Sequence, residues 1–491
     1  MRRKLLVFAV AAMAALLSST AGLHAQITSS FFGMHVNQND IVTGGDGVSQ
    51  IQFDYWPTTE NVNFSIFRTH DAGGYPIAPG SQGQICGPPT CSSVAMKWSD
   101  LDTQNGYQFQ NLDNWAGQLQ SGQVMLFTAY WTPNYVSGDP GDTCGWPNGN
   151  WNRPSGGCAL PLDDKAWTGF ISNLVSHIQN HKPLPLPVKY IEVWNEPDVT
   201  NECDPNPPNG NSQAACTASR LAKMTQIAKS YAAPAGIQVI SPPVTNDGVY
   251  PKSMGGNGYL QQLLNPPNNV WQYADVIGLH GYVSQHIDTK LTDEILEAQS
   301  EVSTACSCSM PLYNSEGSWL QTDDVGNPSN EDEQAAWLGT AYLVQAYYAT
   351  TSNPLAGYAF YGWDYETNSK DRESALWDWW GPGAPRLTAA GAAYQQVYEW
   401  LLNATPQAAC TSSGNLNSGD LEWTCQFYNS AYGGQTLAVW DSCSDNNYYD
   451  CGDYVNTPSG YLWYYDLTGQ KHALPTPTFQ ITAWPVLLTT K

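Results

Sequence analysis

Apolar positions between residues 31 and 402 follow two alternating rhythms. Short apolar runs occur at Phe31–Val36, Phe64–Arg68, Val124–Tyr130, Val188–Trp194, Ile237–Ser241, Val276–His280, Leu312–Ser315 and Ala356–Tyr361, and each reads as a strand. Between them apolar residues recur at helical spacing, as in Trp167, Phe170, Ile171, Leu174, Val175 and Ile178. Leu221, Met224, Ile227, Ala228 and Tyr231 make a second such face, and Tyr394, Val397, Tyr398 and Leu401 a third. Ser329-Asn330-Glu331-Asp332 supplies a cap and an acidic first turn ahead of Trp337, Leu338, Ala341 and Leu343. Eight alternations of strand and helix predict a (β/α)8 TIM barrel, an α/β fold. An open doubly wound sheet would carry a Gly-rich phosphate turn after its first strand, and Gly33-Met34-His35 is not one.

After Ala404-Thr405-Pro406 the helical rhythm stops. Leu421–Phe427, Gln435–Trp440, Gly460–Tyr465 and Thr478–Leu487 read as strands, with turns at Gly433-Gly434 and Thr468-Gly469. The expected organisation is a barrel over 26–404 and a small, sandwich-like antiparallel β domain over 405–491. No flexible linker separates the two, so the β domain is expected to pack on the barrel. Leu437, Val439, Leu462, Ile481 and Val486 would need a partner surface. Residues 72–100, 132–163 and 198–217 are rich in Gly, Pro, Ser, Asn and Cys and follow strands, where barrels build their sites.

Residues 1–25 read as a secretory signal peptide: Arg2, Arg3 and Lys4, an apolar run from Leu5 to Leu17, then a small residue before Gln26. The expected location is extracellular or periplasmic, with no membrane partner once the signal is removed. Removing those three positive charges deepens a formal charge that is already −24, so nucleic acid is an unsuitable partner and a neutral one is not repelled. In an exported chain the 12 cysteines read as disulfides. Spacing suggests Cys86–Cys91, Cys144–Cys158, Cys203–Cys216, Cys410–Cys425 and Cys443–Cys451, and leaves Cys306 and Cys308 without an assignment. A zinc site is the rival reading, and no Cys-x-x-Cys pair supports it. Asp441, Asp445, Asp450 and Asp453 read as a solvated acidic loop ahead of a calcium site.

Two strands end in carboxylates. Tyr190-Ile191-Glu192-Val193-Trp194-Asn195-Glu196-Pro197 is the fourth, and Leu312-Tyr313-Asn314-Ser315-Glu316 the seventh. Such a pair at the catalytic face of a barrel can divide acid and nucleophile roles across a glycosidic bond.

Trp194-Asn195-Glu196-Pro197 and Glu316 resemble the clan of retaining (β/α)8 glycoside hydrolases. Phe32-Gly33-Met34-His35-Val36-Asn37 and the C-terminal β domain look most like family 39. The resemblance spans the barrel and implies Glu196 as general acid/base, Glu316 as nucleophile, and no metal or organic cofactor. It also implies Arg68 beside the nucleophile, His280 and Tyr282 bordering it, Asn195 on the sugar 2-hydroxyl, and Trp363 as a floor for the reactive sugar. His35, Asn37, Asp71 and Trp131 are further strand-end candidates for substrate contact. The implied partner is a polysaccharide or oligosaccharide, met by a monomer. Tyr130, Trp131, Tyr135, Trp194, Tyr282, Trp319, Trp363 and Tyr365 cluster near strand ends and suggest sugar platforms in an open, endo-acting cleft. An exo-acting glycosidase and a non-catalytic sugar-binding barrel are the alternatives.

Overall fold

The computed structural model describes residues 25–491 apart from 37–40, 44–48, 52–56, 59, 70–109, 131, 133–136, 140–158, 200–202, 204–214, 284–285, 320–329, 364–374, 379–385, 414–415, 417–419 and 444–450. Residues 1–24 of the expected signal peptide (1–25) and the pairs Cys86–Cys91 and Cys144–Cys158 lie outside the described residues. So do Asn37, Asp71, Trp131, Tyr135, Tyr365, Asp445 and Asp450. Among the described residues no helix is long and apolar enough to cross a membrane.

The eight expected strands form: β1 (Phe32–His35), β2 (Ile66–Thr69), β3 (Val124–Ala129), β4 (Val188–Val193), β5 (Gln238–Ile240), β6 (Ile277–His280), β7 (Leu312–Gly317) and β8 (Leu355–Tyr361). They pair in parallel in the order β5-β4-β3-β2-β1-β8-β7-β6. A parallel bridge from Ile240 to Val276 closes the ring, and the Ser241 N–H donates to the Val276 carbonyl at 2.9 Å. β5 is short because Pro242-Pro243 supplies no N–H to the ladder. The chain rejoins the sheet at Val244–Thr245, which pairs with Leu279 and His280 of β6.

Side chains alternate across a strand, so residues two apart share the barrel interior. Ile66, Leu126, Tyr190, Ile240, Val276, Tyr313 and Ala359 form the inner apolar layer. Gly357 makes room for Tyr313: a Cβ there would come 2.6 Å from its ring. The next inward positions on β2, β3 and β4 are Arg68, Thr128 and Glu192, all fully buried. The polar layer of the barrel therefore sits at the C-terminal ends of the strands.

Among the described residues a helix follows each of β2 to β8: α1 (Gln110–Ala116), α2 (Asp164–Asn180), α3 (Ala218–Ala232), α4 (Tyr259–Leu264), α5 (Ile287–Cys306), α6 (Glu331–Ala346) and α7 (Ala389–Leu401), with one further helical turn at Asn246–Val249 ahead of α4. Between β1 and β2 the described residues hold a hairpin, Ile41–Thr43 with Ser49–Ile51, in place of the expected eighth helix. The α2 face is buried as predicted, whereas Tyr231 of α3 is exposed because it stands on the last turn. Asn330 caps α6 by accepting from Glu333 N–H at 3.0 Å, within the segment expected to supply the cap.

Helix α6 is buried on all sides from Gln334 to Ala346, because the C-terminal sheet covers the side that the barrel does not. That sheet contains β9 (Glu422–Asn429), β10 (Gly434–Asp441), β12 (Trp463–Tyr465), β13 (Lys471–Ala473) and β15 (Val486–Thr489); β11 (Gly452–Asn456) pairs with β14 (Thr478–Thr482). Trp423, Cys425, Phe427, Ala438, Trp440 and Leu487 join the barrel core. The opposite face, with Leu437, Val439 and Leu488, packs on Val455, Phe479 and Ile481.

Two expectations change here. Thr478–Leu487 is two strands, broken at Ala483-Trp484-Pro485. Leu462 is 61% exposed, since only Trp463–Tyr465 of its run is strand. Disulfides join Cys203–Cys216, Cys410–Cys425 and Cys443–Cys451 as spacing suggested, and Cys306 to Cys308, which spacing left open.

Candidate active site

The end of β4 has an unusual backbone. Trp194 (φ 71°) and Glu196 (φ 39°) both occupy the left-handed region, which costs a non-glycine residue about 1–3 kcal/mol. Their surroundings hold them there: the Trp194 N–H donates to the Ala129 carbonyl, and the Val199 N–H to the Glu196 carbonyl, each at 3.0 Å. The consecutive residues Asn195 and Glu196 thereby reach the same group of side chains above the barrel.

Arg68 is the hub of that group. It is fully buried, and its Nη2 donates to Glu192 Oε1 at 2.7 Å and to Asn195 Oδ1 at 2.9 Å. Nε adds a bond to Glu192 Oε1 at 3.1 Å, and Nη1 donates to Glu316 Oε2. Burial alone would lower the guanidinium pKa, but the Glu192 and Glu316 carboxylates outweigh it and hold the pKa above the ordinary arginine value. A guanidinium only donates, which fixes its neighbours. Asn195 must turn its oxygen toward Arg68, leaving its amide N–H groups for another acceptor. His280 Nε2 lies 3.3 Å from Arg68 Nη2 and must be the unprotonated nitrogen. His35 Nδ1, 3.4 Å from Nη1, is constrained in the same way.

The His280 proton therefore sits on Nδ1, which is 2.7 Å from Glu196 Oε1 and donates to it. Tyr282 donates its hydroxyl to Glu316 Oε1. Burial, then the Glu316 and Glu196 charges, hold the Tyr282 phenol well above its ordinary range, so it remains a donor. β7 shifts register between Asn314 and Glu316 against β6, a bulge that re-aims the Glu316 side chain. One carboxylate oxygen each from Glu196 and Glu316 and one His280 ring nitrogen all lie within 4.8 Å of one another. The two acids have different company: Glu316 faces a cation and a phenol, whereas Glu196 faces an imidazole N–H and keeps a partly exposed side chain.

The structure thus brings Arg68, Asn195, Glu196, His280, Tyr282, Glu316 and His35 together. Glu192 belongs to the same network, also accepting from Thr128 Oγ1 at 2.8 Å, and sequence reasoning passed over it. Its signal was available: a lone acid at an inward position of an apolar strand. Tyr361, whose ring centroid is 4.6 Å from that of His35, was also missed.

Four of the eight expected aromatic platforms are enclosed. Tyr130, Trp194, Trp319 and Trp363 are at most 3% exposed, so they present no open face to a sugar in this structure. Trp363 is stacked on Trp377 at 5.5 Å and donates its backbone N–H to the His35 carbonyl at 2.8 Å. Trp319 packs edge-on against Trp337, and Tyr130 against Trp194. In the C-terminal domain, Asp441 and Asp453 are buried rather than solvated, and the Cys443–Cys451 disulfide removes both thiols beside Asp441 as metal ligands.

The fold is a (β/α)8 barrel whose fourth and seventh strands each end in a carboxylate. No protein-family model matches the chain, and no curated protein is similar to it in sequence. Solved structures do share its architecture. A glucosidase from Croceicoccus marinus superposes with a TM-score of 0.56 at 15% identity, covering 95% of this chain and 96% of that one. A glycoside hydrolase family 39 enzyme from Xanthomonas axonopodis pv. citri gives 0.54 at 14% identity, with 95% of each chain covered. A monomeric β-xylosidase from Caulobacter crescentus gives 0.53 at 12%, covering 95% of this chain and 97% of that one. The likeness is one of fold, a barrel followed by an antiparallel β domain.

Proposed function

We propose that this protein is an exported glycoside hydrolase that cleaves β-glycosidic bonds with retention of configuration. The observation that carries the reading is the close, unequally partnered pair Glu196 and Glu316, with carboxylate oxygens inside 4.8 Å. Retaining enzymes hold their two carboxyl groups about 5–5.5 Å apart, whereas inverting enzymes leave about 6.5–9.5 Å for a water.

In the first step a Glu316 oxygen attacks the anomeric carbon while Glu196 gives its proton to the departing glycosidic oxygen. The product is a glycosyl ester on Glu316 and a free alcohol. Glu196, now a carboxylate, takes a proton from water as that water attacks the same carbon and releases Glu316. Arg68 and the Tyr282 hydroxyl balance the charge on Glu316 as it forms and leaves the ester. The Asn195 amide, turned by Arg68, donates to the sugar 2-hydroxyl. Two carboxylates suffice for this chemistry, and no step calls on a metal or an organic cofactor.

The substrate is a β-linked polysaccharide or oligosaccharide, with the choice of sugar left to loops above the strands. The buried aromatics favour a second reading of the mode of attack. With four of the eight supposed platforms in the core, an exo-acting pocket for a chain end has as good a claim as an open cleft.

The test is a panel of β-linked polysaccharides and aryl glycosides, followed by a 2-fluoro glycoside of the sugar that is turned over. Mass spectrometry should find the label on Glu316. Glu196→Ala should lose far more activity on poor leaving groups than on activated aryl glycosides and should regain part of it with azide. A label elsewhere, or equal losses without azide rescue, overturns the assignment. Sugar binding without turnover across the panel overturns the activity itself.

A further inference from the structure

The Glu196 and Glu316 loops belong to different strands, yet their spacing has to hold to within about half an ångström for in-line attack and proton delivery. Hydrogen bonds outside the catalytic group connect them. Two residues beyond Glu196, Asp198 grips Thr245: its Oδ2 accepts from Thr245 Oγ1 at 2.6 Å and its Oδ1 from the Thr245 N–H at 3.2 Å. Thr245 pairs with His280 in the sheet, so this grip reaches the residue that donates to Glu196. The next residue, Asn246, makes a reciprocal pair with the Tyr282 backbone. Its Nδ2 donates to the Tyr282 carbonyl at 2.7 Å, and its Oδ1 accepts from the Tyr282 N–H at 3.2 Å. Tyr282 in turn donates to Glu316.

We infer that Asp198, Thr245 and Asn246 are positioning residues that fix the distance between the two catalytic carboxylates. They act as a strut running from the end of β4, across the end of β5, to the end of β6. The inference rests on the retaining reading above and adds three residues to it.

Three features favour a positioning role over incidental packing. Both Asp198 oxygens and both Asn246 amide atoms are used, so each side chain is tied to its partner residue by two bonds. The slot has no slack: a Cβ on Gly248 would lie 2.6 Å from Asp198 Oδ2. Finally, the strut begins two residues from a left-handed Glu196, a backbone that persists only where its surroundings over-determine it.

Asn246→Ala removes both bonds to Tyr282. It should lower kcat about 10- to 100-fold, since a misplacement of about 1 Å costs that much, with KM changed less than about threefold. Thr245→Val keeps the shape and deletes only the hydroxyl donor to Asp198. It should fold as the native chain does, show a smaller kcat loss in the same direction, and slow labelling of Glu316 by the 2-fluoro glycoside. Asp198→Asn, which keeps an oxygen for the Thr245 N–H, should retain more activity than Asp198→Ala. Thr245→Val with native kcat and labelling rate overturns the strut, as do losses confined to thermal stability or to KM. Glu196→Gln and Glu316→Gln serve as controls: if these remain active, the reading of the site fails. If they are inactive while the strut variants are native-like, only the strut fails.

Discussion

Glu294 on α5 is fully buried, and neither of its carboxylate oxygens has a hydrogen-bond partner among the described residues. Burial, with a smaller push from Asp198, holds its pKa well above the usual carboxylate range. The folded chain therefore keeps that proton at pH values where the unfolded chain, titrating near about 4.3, has lost it. Stability from this site is complete below the unfolded pKa and drains away as pH rises through the folded one. Glu294→Gln should accordingly raise Tm at about pH 8 by about 2 °C or more and make little difference near about pH 4. Melting curves across that range check it, and a difference independent of pH refutes it. The legibility of single residues varied with their surroundings. Glu196 announced itself because an acid followed by proline ends an apolar strand. Glu192 did not, because its importance comes from Arg68, which lies 124 positions away in sequence. Trp363 stood at the expected strand end, but spacing does not reveal that Trp377 covers its face.

At the scale of elements, the start of α6 ties three segments together. Arg386 donates to both oxygens of Glu331 and, at 3.4 Å, to Asp378; Glu331 Oε2 also accepts from the Ala389 N–H at 3.1 Å, at the start of α7. The hydrogen bond from Arg386, against an opposing effect of burial, holds the Glu331 pKa below its ordinary value. A lowered carboxylate pKa contributes stability above the unfolded value and loses it as pH falls through the folded one. Arg386→Met should thus cost about 1 kcal/mol at neutral pH, a figure restrained by solvent screening of a pair that is about one-third exposed. The cost should shrink below about pH 4; denaturant titrations at both pH values measure it, and an equal cost at both contradicts it. Strands were legible because alternation reports burial directly. Their interruptions were less so: Pro242-Pro243 ends β5 and Trp484-Pro485 splits the last predicted run, although all three prolines were in view. The hairpin between β1 and β2 has no periodic signature that separates it from a loop.

Across the whole molecule, one apolar core runs from the barrel through α6 into the C-terminal sheet. The sequence reading anticipated that contact but assigned it to the wrong side chains. Leu437 and Val439 face the β11–β14 pair, and the alternate residues Ala438 and Trp440 face the barrel. A chain ending at Asn403 would bare the outer side of α6 and should aggregate or melt well below the full chain. Light scattering and thermal melts test this, and a soluble, fully active barrel would contradict it. The same seam has a practical side. The Ile27 N–H donates to the Ala404 carbonyl at 2.8 Å, and the Asn403 N–H to the Ile27 carbonyl at 2.9 Å. The barrel chain thus enters and leaves at one point, below the N-terminal ends of the strands and opposite Glu196 and Glu316. A bead or surface tethered ahead of Ile27 would hold every molecule with its Glu196–Glu316 face outward.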